Sequence, residues 1–327
     1  MLKRCGALLL CLVLLLAGCT RSSAPAPDYV LTYADNQPAG YPTTQGAEYF
    51  AQLVAQQTEG RVVIQVKTGG SYGTEQELWQ QLLIGSIDFA RLSLTDITDH
   101  LPELELLTLP YLYRDAAHMW RVLDGEIGAE FLQGFARCGL VGLSWYDAGA
   151  RSFYASRPIT APEDLAGRRV RVQGGRTMQE MVRLLGAEPV SLRYSEVYTA
   201  LENGQIDAAE NNWPAYHAME HYKTARFYTV DQHSRIPEVQ LASGRLWEQL
   251  PPQYRQILRD CAQQSAVYER QLWTQREAEA RQAVLDAGCR EIRLTAPQRE
   301  AFRTRMQPLY DQYTGPQQAL LERIQGS

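Results

Sequence analysis

The sequence predicts an α/β protein of two domains that ends in a long helical segment. Two stretches, residues 29–94 and 141–210, each alternate strand-like and helix-like segments, which is typical of α/β domains with largely parallel sheets. Residues 253–287 then contain neither proline nor glycine and carry apolar or small residues in steps of three and four. A length of 327 residues is itself more typical of two domains than of one.

The first α/β unit reads as strand, helix, strand, helix, strand. YVLTYAD is strand-like, the next segment has helical spacing and ends at Gly60, and RVVIQVKT is β-branched. Thr74 and Glu77 have the spacing of a capping box, so a helix is expected to start there. SIDFARLSL, residues 86–94, is expected to form the third strand.

The second unit contains an unusual strand, GRRVRVQ, at residues 167–173. Alternation places Val170 and Val172 on one face, packed on a core, and Arg169 and Arg171 on the other. Strand-like residues 141–156 precede it, and a helix followed by a short strand is predicted over residues 196–210.

The segment from Pro252 to about Ala287 is predicted to be one helix of roughly 50 Å, at about 1.5 Å per residue. A helix of this length could lie across both domains. Two helices separated by a kink are the alternative.

The N-terminal residues have the features of an export signal. Lys3 and Arg4 precede an apolar run, Gly6–Ala17, which is too short for a comfortable membrane span and is followed by LAGC. LAGC resembles the lipobox of bacterial lipoproteins. The resemblance implies a signal peptide of residues 1–18, lipid attached to Cys19, and a tether of residues 19–27. A plain signal peptide with a chance cysteine is the alternative.

Composition argues against several classes of function. Without residues 1–18 the chain has 30 basic and 37 acidic residues, a net charge of −7, which argues against nucleic-acid binding. Neither GxGxxG nor a Walker motif is present, so no cofactor is expected. His217 and His221 could share a helical face, but no third ligand is nearby, so packing is expected rather than a metal site.

Three cysteines remain after removal of a lipoprotein signal and lipidation of Cys19: Cys138, Cys261 and Cys289. An odd number in an exported protein leaves at least one thiol free. A disulfide between Cys261 and Cys289 is one alternative.

An enzymatic alternative comes from GGSYG, residues 69–73, which matches the G-x-S-x-G nucleophile elbow between a strand and a helix. It would make the protein an α/β serine hydrolase that uses Ser71. Against it, the helix start signal is at Thr74 rather than directly after the serine, and no histidine has an obvious triad context.

Arg151 and Arg171 are the most informative charged residues. A guanidinium on a half-buried strand needs a partner, because a desolvated unpaired charge is costly. That partner is either an internal carboxylate, such as Asp147 or Glu210, or the carboxylate of a ligand held by a bidentate fork. The residue pattern leaves both alternatives open.

Long ordered segments of the chain, from about Leu31 to the end, resemble the substrate-binding proteins of TRAP (tripartite ATP-independent periplasmic) transporters, of the C4-dicarboxylate-binding DctP type. The matching segments are LPYLYRD with VLDGEIG, DAGARSFYASRPITAPEDLAGRRVRVQ, and LGAEPVSLRYSEVYTALENGQIDAAENN. The lipoprotein signal and the long helix agree with this resemblance.

The resemblance implies a two-domain, Venus-flytrap α/β fold with a long helix that spans both domains. The expected domains are residues 28–148 with 237–276, and residues 149–236 with 277–327. It implies a binding protein rather than an enzyme, which closes on a small organic acid and delivers it to the membrane permease subunits. The expected location is outside the cytoplasm, on a bacterial membrane through the lipid anchor.

The resemblance also implies roles for individual residues. Arg171 would fork onto the ligand carboxylate, Arg151 would add a second positive group, and Asn211 would donate hydrogen bonds. Weaker expectations concern five further residues, for each of which packing is the alternative. Tyr194 and Glu75 would lie in the cleft, with Glu75 near ligand hydroxyls. The other residues would line the cleft: Trp213, Trp145 and Asn36.

Residues 207–212 read DAAENN, where the family has DGQEN followed by proline. This departure leaves the ligand open between a sugar acid, which is slightly favoured, a C4-dicarboxylate and a related carboxylate.

Overall fold

The computed structural model describes residues 26–327. The predicted signal peptide, Cys19 and all but the last residues of the tether lie outside the described residues. Within them, no helix is long and apolar enough to cross a membrane.

Eleven strands and twelve α-helices form the described part of the chain, with short 3₁₀ turns between them. The strands are β1 (Tyr29–Ala34), β2 (Val62–Lys67), β3 (Phe89–Ser93), β4 (Leu140–Tyr146), β5 (Arg151–Ala155), β6 (Arg169–Val172), β7 (Glu188–Ser191), β8 (Ala208–Asn211), β9 (Phe227–Ser234), β10 (Glu238–Ser243) and β11 (Arg290–Arg293). The helices are α1 (Pro42–Gln57), α2 (Glu75–Ile84), α3 (Ala116–Leu123), α4 (Glu126–Gly134), α5 (Arg176–Leu184), α6 (Val197–Glu202), α7 (Trp213–Ala218), α8 (Gly244–Gln249), α9 (Pro252–Asp286), α10 (Ala296–Arg305), α11 (Gln307–Asp311) and α12 (Gly315–Gly326).

The first sheet has the order β2-β1-β3-β10-β4 and, with the helices packed on it, is called lobe 1. β1 pairs in parallel with β2 and β3, as the alternation of strands and helices predicts. β10 returns to this sheet from much later in the chain and is antiparallel to both of its neighbours.

The second sheet has the order β11-β9-β5-β8-β6-β7 and, with its helices, is called lobe 2. β6 lies inside this sheet, parallel to β7 and β8. Its alternation is as predicted, because Val170 and Val172 are buried in the largest hydrophobic core and Arg169 is partly exposed against Asp207. The strand therefore presents Arg171 on the face opposite its packed valines.

Three connections join the sheets. Residues 147–150 lead from β4 into β5, residues 235–237 lead from β9 into β10, and the segment that contains α9 leads from β10 to β11. α9 is one helix of 35 residues, as predicted, and packs on α1 of lobe 1 and α7 of lobe 2. The two-lobed α/β architecture with a spanning helix is therefore confirmed. The predicted domain boundaries stay a prediction.

Local details settle two alternatives left open by the sequence. Cys261 and Cys289 are free thiols in different hydrophobic clusters, so the disulfide between them is not formed. Ser71 is exposed in a turn, where its hydroxyl donates to the carbonyl oxygen of Thr68 at 3.3 Å. The following helix begins only at Glu75, behind the predicted capping box of Thr74 and Glu77, so Ser71 does not form a nucleophile elbow.

Candidate functional site

Arg171 is a buried cation that has no carboxylate partner in the part of the chain that the structure describes. Its side chain lies on β6 with only 4% of the residue exposed, and Nε and Nη2 donate to the carbonyl oxygen of Leu192 at 3.2 and 3.0 Å. Among residues 26–327 it forms no salt bridge, and its Nη1 donates to no protein acceptor. Burial lowers the pKa of Arg171, although nearby Glu210 opposes the shift. Such a group can gain much from a ligand carboxylate.

Arg151, by contrast, has the internal partner that the sequence left open. Its Nε and Nη2 donate to the two carboxylate oxygens of Glu210, at 2.6 and 2.8 Å, and both residues are buried. Burial disfavours ionisation of Glu210, but Arg151 and His233 outweigh it and lower the pKa of that carboxyl to about 2. The positive charge of Arg151 is therefore balanced inside the protein.

His233 lies next to this ion pair and links Glu210 to a further carboxylate, Asp231. Its Nδ1 lies 2.8 Å from Oδ2 of Asp231, and its Nε2 lies 3.4 Å from Oε2 of Glu210. Burial alone would lower the pKa of His233, but the two carboxylates raise it to about 9. The ring is therefore protonated near neutral pH, and both nitrogens donate to carboxylates.

Asn211 and Tyr194 add polar groups with unused hydrogen-bonding capacity. The Asn211 Oδ1 accepts from the backbone N–H of Asn212 at 2.9 Å, and no hydrogen bond joins its Nδ2 to another described residue. The Tyr194 hydroxyl is buried and has no partner in the described part of the chain. Burial raises the pKa of Tyr194, while Arg171, Arg151 and Arg91 act in the opposite direction. Tyr194 therefore lies within the field of arginines from both lobes.

Arg91 of β3 is the centre of a buried charge cluster in lobe 1 that the sequence analysis missed. It is 1% exposed, and its two terminal nitrogens donate to four side chains: Glu75 and Glu238 from Nη1, and Asp35 and Asn36 from Nη2. The same rule that singled out Arg171, a charged residue in a buried strand, would have found Arg91 in FARLS.

The elements of lobe 1 explain why this cluster forms. Asp35 and Asn36 follow β1, Glu75 is the first residue of α2, and Glu238 begins the antiparallel strand β10. All of them meet at the carboxyl ends of the parallel strands, which is where open α/β sheets bind ligands.

Glu75 lies within this cluster rather than alone in a turn. Its Oε2 accepts from the backbone N–H of Ser93 at 2.6 Å. Burial raises the pKa of Glu75 to about 8, against the opposing effect of Arg91, and burial also raises the pKa of Glu238. The cluster therefore holds more carboxyl groups than its one guanidinium can keep ionised.

The two lobes touch just beyond Arg171. Gln173 of lobe 2 donates to Asp96 of lobe 1 at 3.3 Å, and Arg176 pairs with Glu105 at 2.6 Å. A Cβ atom on Gly174 would lie 2.7 Å from the Asp96 Oδ1, so this contact needs the glycine. β6, the strand of Arg171, thus ends at a close contact between the lobes.

The remaining predicted residues make packing contacts. Trp213 is buried and stacks on Tyr228, with ring centroids 3.5 Å apart. Trp145 is buried and donates to the carbonyl oxygen of Gly128 at 3.4 Å. A ligand contact stays a prediction for all six residues: Arg171, Arg151, Asn211, Tyr194, Glu75 and Trp213.

His221 interacts with a tyrosine. Its Nδ1 lies 2.8 Å from the Tyr154 hydroxyl, and burial together with Arg171 lowers its pKa to about 3. The ring is therefore neutral. Residues 26–327 contain no group of three His, Cys, Asp or Glu side chains that could hold a metal ion.

Two α/β lobes joined by crossing segments and a shared helix, with a buried guanidinium on lobe 2 that lacks a carboxylate partner among residues 26–327, define a solute-binding protein. Comparison with known proteins agrees. Residues 33–315 match the family described as bacterial extracellular solute-binding protein, family 7 (DctP). The chain belongs to this family, that of the TRAP-type solute-binding proteins.

Individual relatives cover most of the chain. A protein of Chromohalobacter salexigens named solute-binding protein is 35% identical over 277 residues, which are 84% of this chain and 82% of the relative. The TRAP periplasmic solute-binding protein of Xanthobacter autotrophicus Py2, solved with bound β-D-galacturonate, is 40% identical with a TM-score of 0.87, covering 91% of this chain and 99% of that one. The corresponding protein of Roseobacter denitrificans, with bound β-D-glucuronate, is 35% identical with a TM-score of 0.87, at the same coverage.

Family membership decides several expectations. The protein is an exported, periplasmic binding component of a TRAP transporter, and it captures an organic acid for transport. It is not an enzyme, so the serine-hydrolase alternative for Ser71 is wrong.

Proposed function

We propose that this protein binds a hexuronate, such as D-galacturonate or D-glucuronate, and delivers it to the permease subunits of a TRAP transporter. The observation that carries the proposal is Arg171, a buried guanidinium with no internal carboxylate among the described residues. Solved relatives with bound galacturonate and glucuronate support the choice of ligand.

Each polar group has a role in this proposal. Arg171 receives the uronate carboxylate through two parallel N–H···O bonds. Arg151 supplies a second guanidinium, whose charge Glu210 balances and whose Nη1 can donate to the ligand. The Asn211 Nδ2 donates to the same carboxylate. Tyr194 hydrogen-bonds the sugar, Glu75 accepts from a sugar hydroxyl, and Trp213 offers an aromatic surface.

Capture requires the two domains to close on the ligand. We place their boundaries at residues 28–148 with 237–276, and at residues 149–236 with 277–327. The segments that cross between them, residues 147–150 and 235–237, then serve as the hinge.

Ligand-induced thermal stabilisation of the purified protein tests the proposal, with D-galacturonate, D-glucuronate, succinate and neutral D-galactose. A ligand at about 100 times its Kd adds about 2.7 kcal/mol to the free energy of unfolding. We expect a clear increase in Tm with a uronate and none with D-galactose, which lacks the carboxylate. The proposal fails if neither uronate raises Tm.

The anchor forms a separate part of the proposal: lipid on Cys19 holds the protein at the membrane, facing the periplasm or the cell exterior. Metabolic labelling with a palmitate analogue tests it. The wild-type protein should be labelled and remain in the membrane fraction, and Cys19→Ala should lose both properties. Equal labelling of the two proteins would contradict the anchor.

A further inference from the structure

The lobe 1 end of the site carries a surplus of carboxyl groups. One guanidinium, Arg91, serves three carboxyl groups, those of Asp35, Glu75 and Glu238, and the amide oxygen of Asn36. Both terminal nitrogens of Arg91 are thereby engaged. This arginine has no free fork to offer to a ligand carboxylate.

The lobe 2 end has the opposite character. Arg171 is 4% exposed and has no carboxylate partner within residues 26–327. The Asn211 side chain, also buried, keeps an unused N–H₂ donor. Arg151 brings no surplus charge, because its Nε and Nη2 both donate to the Glu210 carboxylate. Of the two arginines at this end, Arg171 is therefore the one whose charge no carboxylate of the described residues balances.

The two ends lie next to the contact between the lobes. Gln173, two positions after Arg171, donates to Asp96 at 3.3 Å, and Asp96 closely follows β3, the strand that carries Arg91. The buried Tyr194 hydroxyl has no partner in the described chain. It lies in the electrostatic field of Arg171 and Arg151 of lobe 2 and of Arg91 and Glu238 of lobe 1. Asp96 is likewise influenced by arginines of both lobes. A ligand that reaches from Arg171 past Tyr194 therefore meets the carboxyl-rich cluster with its other end.

We propose that the carboxyl-rich cluster of lobe 1 is a specificity filter, which accepts the hydroxyl end of the ligand and rejects a second carboxylate. The filter rests on the proposed function, since it concerns the same site. Sugar hydroxyls can hydrogen-bond to the carboxyl groups of the cluster. A second carboxylate would instead be buried among acidic groups with no cation free to pair with it, because Arg91 already serves Asp35, Glu75 and Glu238. The protein therefore takes monocarboxylate sugar acids and excludes aldarates and C4-dicarboxylates.

Isothermal titration calorimetry of the wild-type protein tests the filter with D-galacturonate, galactarate and succinate. Galactarate carries a carboxylate at both ends of the same carbon chain. We expect D-galacturonate to bind and both dianions to bind about 30-fold more weakly or worse. A Kd for either dianion within about threefold of that for D-galacturonate would overturn the filter.

Two variants within the cluster and one control variant test whether the cluster causes the discrimination between galacturonate and galactarate. Glu238→Gln and Glu75→Gln each remove one of the acidic groups that share Arg91 and keep its shape, and either alone suffices if the other does not fold. Each should reduce the ratio of the galactarate Kd to the galacturonate Kd by about 10-fold. Glu77→Gln, on the same helix α2 but exposed and outside the cluster, should leave the ratio unchanged.

The outcomes separate the filter from the proposed function. If D-galacturonate binds but galactarate binds equally well, or if the ratio is the same in all three variants, the filter is wrong and the hexuronate proposal stands. If the folded wild-type protein binds no uronate, both are wrong.

Discussion

The Arg151 guanidinium holds the Glu210 carboxylate through two buried hydrogen bonds, at 2.6 and 2.8 Å. This pairing gives the two arginines that the sequence singled out different positions. Arg151 belongs to an internal network with Glu210 and His233, whereas Arg171, two strands away in the same sheet, has no carboxylate partner among the described residues. Their substitutions should therefore affect different properties of the protein.

Arg171→Ala should abolish tight binding and leave the unliganded fold intact. Loss of one partner of a buried charge pair costs about 2–5 kcal/mol, so we expect D-galacturonate to bind about 30-fold more weakly or worse. The free energy of unfolding without ligand should not fall, since substitution removes a buried charge that has no carboxylate partner in the described protein. Calorimetry and urea unfolding measure the two effects.

Arg169→Ala is the matched control on the same strand, because its side chain pairs with Asp207 and is largely accessible to solvent. Its affinity should match that of the wild type. A loss of affinity below about threefold in Arg171→Ala would contradict the proposal that Arg171 holds the ligand carboxylate.

Arg151→Ala should instead lower stability, because it leaves the buried Glu210 carboxylate without its main partner. Breaking a buried pair in this way costs about 3–5 kcal/mol. Urea unfolding of both single variants and of Arg151→Ala/Glu210→Ala completes a double-mutant cycle. We expect the double variant to lose less stability than the sum of the single losses, and strict additivity would refute the coupling.

His233 should make the protein less stable at alkaline pH. Its pKa is raised to about 9, from an unfolded value near 6.5, so the folded state binds the extra proton between these values. The stabilisation is complete below about pH 6.5 and is lost as the pH rises to about 9, with a magnitude on the order of 3 kcal/mol. Urea unfolding at pH 6 and pH 9 measures it.

His233→Gln should be less stable than the wild type at pH 6 and should lose less stability between the two pH values. Glu75, whose pKa is raised to about 8, also makes the free energy of unfolding fall as the pH rises, at lower pH than His233 does. This contribution is the same in both proteins, so their difference isolates the effect of His233. His100→Gln, at an exposed histidine, serves as the control. An unchanged pH difference in His233→Gln would contradict the assigned network.

Gly174→Ala should impair closure of the lobes. The added Cβ would lie 2.7 Å from the Asp96 Oδ1, and overpacking of this kind costs about 1–3 kcal/mol. Because the contact joins the lobes, we expect binding to weaken by about 10-fold while each lobe stays folded. Gly134→Ala is the control, since its Cβ would approach only the ends of two long side chains, Arg137 and Glu103. Equal affinities of the two variants would show that the contact does not contribute to closure.

The sequence predicts this fold well where local periodicity determines it. The alternation of Val170 and Arg171 placed the strand and its two faces correctly, and the spacing of Thr74 and Glu77 gave the start of α2. The run without proline or glycine gave α9 as one helix. In each case neighbouring residues determine the outcome, so a short window of sequence contains the information.

The charge cluster around Arg91 could not be assembled in this way. Its carboxyl partners Asp35, Glu75 and Glu238 are 56, 16 and 147 positions away along the chain, and only the sheet order brings them together. For the same reason the sequence could not show that Arg151 pairs with Glu210, because this contact depends on the pairing of β5 with β8. A motif identifies such residues, whereas their partners depend on tertiary structure.

A crystal structure of the protein with bound D-galacturonate tests the central claim most directly. We predict the carboxylate on Arg171, with two N–H···O bonds of about 2.7–2.9 Å, and the opposite end of the sugar against Glu75 and Glu238. A carboxylate placed against Arg91, or one held by Arg151 with Arg171 still bonded only to the carbonyl of Leu192, would contradict the account.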